Sequence, residues 1–136
     1  MKNFKLLVIA ASTFFLVACG LPNLDMYVIY DTHAEAVADE AIQRGWIPTW
    51  VPPTATNIHE AHNLDTNARA LSFTAPNAKS VIETLRCRDD LQPPRPSKKT
   101  KLFPTNIEHK AEIKNCGGLW VFVEGTNDIH VWANSL

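Results

Sequence analysis

The sequence predicts an α+β domain, a small and mainly antiparallel sheet with two or three packed helices, and three observations predict it. Leu119-Trp120-Val121-Phe122-Val123 and Ile129-His130-Val131-Trp132-Ala133 are β-branched and aromatic, and they flank Gly125-Thr126-Asn127-Asp128, a hairpin pattern. Ala34, Val37, Ala38, Ala41 and Ile42 recur at helical spacing behind Thr32 and Glu35, which stand in capping-box register, and Gly45 supplies a stop. Ala78, Val81, Ile82 and Leu85 mark a second amphipathic face opened by Pro76 and Asn77.

Ahead of these elements stands a leader. Lys2 and Lys5 form a basic start, and Leu6 to Val17 is an uncharged, mostly apolar run of the kind that directs secretion. The run falls short of the roughly 20 apolar residues that a membrane-spanning helix needs. Leu16-Val17-Ala18-Cys19 resembles the lipobox of bacterial lipoproteins. That resemblance implies cleavage after residue 18, acylation of Cys19 and attachment to a membrane through three acyl chains, where two already anchor stably. Gly20, in the position where an aspartate would favour the inner membrane, implies an outer-membrane address facing the periplasm. The expected organisation is a signal peptide over 1–18, a lipidated tether over 19–30 and one domain over 31–136.

Met26 to Tyr30 is apolar enough for a short strand or the lead into the first helix. The first helix is expected over 33–44. Trp46 to Pro53 then carries Pro48, Pro52 and Pro53, which no regular helix passes through. With Thr54 or Thr56 as a cap, residues 55–63 are expected as a short helix ending at Asn63. Ala68 to Phe73 reads as a strand, and the second helix follows and delivers Cys87.

Residues 89–104 are proline-rich and basic and are expected as a loop. Thr105 and Glu108 permit a short helix over 105–114, while Ala111 and Ile113 permit a strand. The first hairpin strand is apolar on both faces, so it is expected to be central and covered by helices on at least one side.

Without Lys2 and Lys5 the chain carries 11 basic against 14 acidic residues, a net charge of −3, which argues against a nucleic-acid partner. Residues 19–65 hold seven acids and one base, and residues 66–116 hold ten bases and five acids. Acylation of Cys19 would leave Cys87 and Cys116 in an oxidising compartment, where they are expected to pair. A catalytic thiol would need a partner base, and none is evident.

The densest polar run is Asn57 to Asn67. Together with Gly45-Trp46-Ile47-Pro48 and Pro52, its Ile58, Glu60, His62, Asp65, Thr66 and Asn67 resemble a family of Gram-negative lipoproteins that share a domain like the head domain of YbbD. The resemblance covers residues 44–73 most strongly and implies no particular activity.

Glu60, His62, Asp65, Thr66 and Asn67 are therefore the candidate polar cluster, expected to satisfy backbone groups at a helix-to-strand corner, with Glu60 and His62 paired. Acid–base catalysis by that pair lacks an accompanying nucleophile or anion-binding loop. His59, His62 and Asp65 form an alternative metal set, which requires the helix to break near Asn63 for all three to converge. Trp46 and Trp50 among the prolines, with Lys98, Lys99 and Lys101 on the basic loop, are the candidate binding surface. The expectation is a non-enzymatic module without cofactor, attached to the membrane by its lipid and able to bind an envelope protein.

Overall fold

The computed structural model describes residues 25–97 and 102–134. Within them the chain forms a single seven-stranded, wholly antiparallel sheet in the order β1-β2-β3-β7-β6-β5-β4. The strands are β1 (Asp25–Thr32), β2 (Thr56–Asn63), β3 (Arg69–Thr74), β4 (Arg88–Asp89), β5 (Lys114–Cys116), β6 (Leu119–Glu124) and β7 (Asp128–Ala133). Two six-residue helices, α1 (His33–Ala38) and α2 (Ala78–Glu83), and a 3-10 turn over Ile107–His109 complete the described elements.

The expected α+β architecture is thus corrected to a mostly sheet domain. The largest single revision is residues 55–63, which form β2 and not a helix. Ile58, Glu60 and His62 alternate along the strand and are all buried, a period of two that the polar side chains disguise. The first helix stops at Ala38 because the chain enters a series of turns in which Glu40 adopts φ 58°. Its start is as expected: Thr32 Oγ1 accepts from Glu35 N at 3.3 Å, and Glu35 Oε2 accepts from Asp31 N at 2.8 Å. β1 begins at Asp25, so residues 25–30 of the expected tether are sheet. The 105–114 segment resolves into the 3-10 turn followed by the start of β5.

The two faces of the sheet are covered differently. One face carries Tyr30, Ile58, Leu71, Phe73, Ile129, Val131 and Val121, and packs beneath Ala36, Ala41, Ile47, Val51, Ala55 and Ala78. Each large apolar side chain so buried contributes about 1.5–3 kcal/mol. The opposite face carries Ala61, Ala70 and Trp132, covered by Leu102, Phe103, Ile107 and Ile113 from the long loop between β4 and β5. A loop therefore does the covering expected of helices, and the most enclosed strand is β7, not β6.

Register is pinned at two places. Pairing between β2 and β3 shifts between Thr56 and His59, where Asn57 takes φ 50° and forms a bulge. Cys87 and Cys116 are joined by a disulfide, with Cα atoms 4.2 Å apart, which ties the segment after α2 to the end of β5.

Candidate functional site

The polar cluster is assembled by strand alternation. Glu60 and His62 lie two apart on β2 and so share a face, with Glu60 flanked by Val28 and Leu71 and His62 by Met26 and Arg69. His62 Nδ1 is 2.9 Å from both carboxyl oxygens of Glu60, and the Glu60 residue is only 1% exposed. The Trp46 ring lies flat on the His62 ring, with centroids 3.6 Å apart and planes 8° from parallel.

The segment bearing Trp46 is fastened to the sheet at several points. Gly45, at φ 78°, turns the chain so that its carbonyl accepts from Arg69 Nη1 at 2.6 Å. Tyr30 donates its hydroxyl to Asp39 Oδ2 at 2.6 Å, and Arg44 Nη2 donates to the same oxygen at 3.1 Å and to the Asp39 carbonyl. Arg69 Nε is buried without a hydrogen-bond partner among the described residues, and the guanidinium faces Glu60 electrostatically.

Burial dominates the electrostatics. Removal from water pushes the Glu60 carboxyl up to about 8, against the pull of Arg69 and Arg44. The same burial, reinforced by those two cations, lowers His62 from its ordinary value. Both shifts favour the neutral pair, in which Glu60 holds a proton and donates it to His62 Nδ1. Burial also raises Tyr30 to about 12, with its bond to Asp39 acting in the same direction.

Asp65, Thr66 and Asn67 sit in the β2–β3 turn, a strand-to-strand corner. Asn63 Oδ1 organises it, accepting from Asp65 N at 3.0 Å, Thr66 N at 2.9 Å and Thr66 Oγ1 at 3.1 Å. Thr66 Oγ1 in turn accepts from Ala68 N at 3.3 Å, and Asn67 takes φ 56°. No local pattern in the sequence marks Asn63 for this role.

The metal alternative is overturned by the strand. His59 and His62 lie three apart on β2 and project to opposite faces, while Asp65 is exposed in the turn. His59 Nδ1 is instead 2.8 Å from Tyr27 Oη, and no group of three metal-competent side chains converges among the described residues.

Trp50 packs on Phe73, with ring centroids 6.0 Å apart, and is half-buried like Trp46. Cys19, Lys98, Lys99 and Lys101 lie outside the described residues.

A second polar group, without a motif to mark it in the sequence, lies on the opposite face. His130 Nδ1 donates to the Leu102 carbonyl at 2.9 Å, and its Nε2 is 3.1 Å from Glu124 Oε2. This ring joins the covering loop to β7 beside a cleft of about 190 Å³ lined by Asn57, His59, Ser72 and Asp128. Its only sequence signal is that it shares a face with Trp132 at strand spacing.

These features define an antiparallel-sheet domain with a disulfide and a buried Glu–His pair closed by a tryptophan-bearing loop. Residues 26–74 match the family of the YbbD head domain, so the stretch from β1 through β3 is YbbD-head-like. The matched stretch contains Tyr30, Trp46, Glu60, His62 and Arg69, every residue that closes the pair. Neither a curated protein nor a solved structure shows significant similarity to the chain.

Proposed function

We propose that the chain is a lipid-anchored, non-enzymatic protein of the bacterial envelope, whose YbbD-head-like domain binds an envelope partner. The observation that carries this reading is the Cys87–Cys116 disulfide. It uses both cysteines that remain once Cys19 is set aside for acylation, and such bonds persist in oxidising compartments. The lipobox-like Leu16-Val17-Ala18-Cys19 and the leader before it supply the address.

The buried cluster supports a binding or architectural role in preference to acid–base chemistry. Glu60 and His62 Nδ1 are turned on each other, and Trp46 covers the ring, so the carboxyl is held by the imidazole beneath a lid and away from water. The Trp/Pro segment with Trp46 and Trp50, together with the basic residues Lys98, Lys99 and Lys101, is the surface assigned to the partner.

The address is tested by expressing the full chain beside Cys19→Ala. The parent is expected in the outer-membrane fraction with an intact mass that includes fatty acid, and the variant in the soluble periplasm. A parent with an unprocessed or unacylated amino terminus would overturn the assignment.

A further inference from the structure

We propose that the corner of the sheet where β1 begins is a membrane-docking surface, with Met26, Tyr27, Ile29 and Leu64 resting in the headgroup region of the bilayer that holds the anchor. The proposal rests on the lipid anchor assigned above and deepens it, by stating how the domain sits on its membrane.

Large apolar side chains are exposed at six described positions, and four of them lie on β1 or on the turn beside its start. Met26 is 45% exposed, Tyr27 54%, Ile29 52% and Leu64 51%. The first three belong to β1, an edge strand among the described residues. Leu64 follows β2 directly, and it is brought beside β1 because Asn63 stands opposite Asp25 and donates to its Oδ1 at 2.7 Å. Strand alternation sends Met26 to one face and Tyr27 and Ile29 to the other. At the rim of a sheet the two sets border the same margin.

Such an edge is ordinarily blunted by lysine, proline or a bulge, because its apolar side chains and free backbone groups invite association. Asp-Met-Tyr-Val-Ile-Tyr-Asp-Thr contains neither lysine nor proline, and its pairing with β2 runs without a register shift.

The occupant follows from chain length. Five residues, 20–24, separate Cys19 from Asp25. At about 3.5 Å per residue they hold the start of β1 within roughly 20 Å of the acylated residue. An apolar margin on so short a tether meets the bilayer at high effective concentration. Tyr27 meets the interface with its ring, since its hydroxyl is held 2.8 Å from His59 Nδ1 on the sheet.

Charge refines the choice of surface. Asp25, Asp31, Glu35 and Asp65 surround the margin, and neither β1 nor residues 63–68 contain a lysine or arginine. The corner therefore fits a zwitterionic headgroup layer and is repelled by an anionic one.

The test uses the acylated full chain reconstituted in phosphatidylcholine–phosphatidylethanolamine vesicles, with its intact mass recorded first. Nitroxide labels are placed at Ile29→Cys, at Leu64→Cys and, as the reference, at Leu91→Cys. Leu91 is 94% exposed and lies just past β4, at the other end of the sheet. Six strand spacings put that end about 29 Å from β1.

Labels at 29 and 64 are expected to show at least a threefold higher ratio of oxygen to aqueous-nickel accessibility than the label at 91. Adding anionic phosphatidylglycerol at low salt should shrink the difference, and raising salt should restore it. Equal ratios at all three positions on an acylated chain would overturn the docking and leave the anchor standing. Loss of accessibility to both quenchers at 29 and 64 would also overturn it, by pointing to a protein occupant. A mass without fatty acid would remove the anchor and the docking together.

Discussion

Glu60 sets how the buried pair answers pH. Its folded value of about 8 exceeds the ordinary 4.5, so between those limits the folded chain holds a proton that the unfolded chain has released. Stability from this group is therefore fully present below 4.5 and falls as pH rises through the window. His62 works in the other direction. Its folded value is lowered from 6.5, so the unfolded chain binds more protons below 6.5 and stability is lost as pH falls there. Just below 6.5 the two slopes oppose each other, and above 6.5 only the Glu60 slope remains. Glu60→Gln keeps a donor toward His62 Nδ1 and has no proton to release. Thermal melts at pH 6.5 and 8 are expected to show the parent losing about 2 kcal/mol relative to this variant. A parent that holds steady or gains would mean that Glu60 is charged in the folded protein.

At the scale of elements, the segment between α1 and β2 has little regular structure and depends on its fastenings. Trp46 is the largest of these, so Trp46→Ala is expected to cost about 2 kcal/mol, less than a fully buried tryptophan because the ring is half-buried. Hydrogen exchange should accelerate at Ala41, Val51 and Ala55, whose amides bond within this segment or to α1, while β3 and β7 stay protected. Uniform acceleration across the sheet would show that the ring supports the whole fold.

The same segment explains what could be read in advance. The β6–β7 hairpin, β3 and α2 were legible because their apolar residues announce the period directly. β2 was not, because two of its inward positions are Glu60 and His62. A carboxyl and an imidazole are inward residues only when each satisfies the other, and that pairing is visible only after folding. The pair itself was legible as neighbours in a motif. Trp46 as its lid was not, since stacking across 16 positions leaves no local pattern. Asn63 and His130 escaped for the same reason: each acts on a backbone or a strand whose position the sequence does not state.

At the scale of the molecule, the disulfide is the one covalent tie across the half of the sheet built from β4 to β7. It closes a span of 29 residues, for which loop-closure entropy gives about 3–4 kcal/mol. Replacing both cysteines with alanine is expected to lower the melting temperature measurably and to loosen β4 and β5 first, with β1 to β3 retaining their exchange protection. An unchanged melting temperature would mean that the packing of Cys87 and Cys116 against the main core supplies the restraint without the bond.

The strand order has a further outcome in time. β3 pairs with β7, although more than fifty residues of chain intervene, so the last strand of the described sequence is laid into its middle. A polypeptide that emerges amino end first, from a ribosome or a translocation pore, presents β1 to β3 as a ribbon whose inner margin has nothing to zip to. Only when residues 128–133 arrive is that margin sealed, with Trp132 set against the far face. Until then the β3 margin has no partner strand, so a chain truncated before residue 128 leaves that margin open.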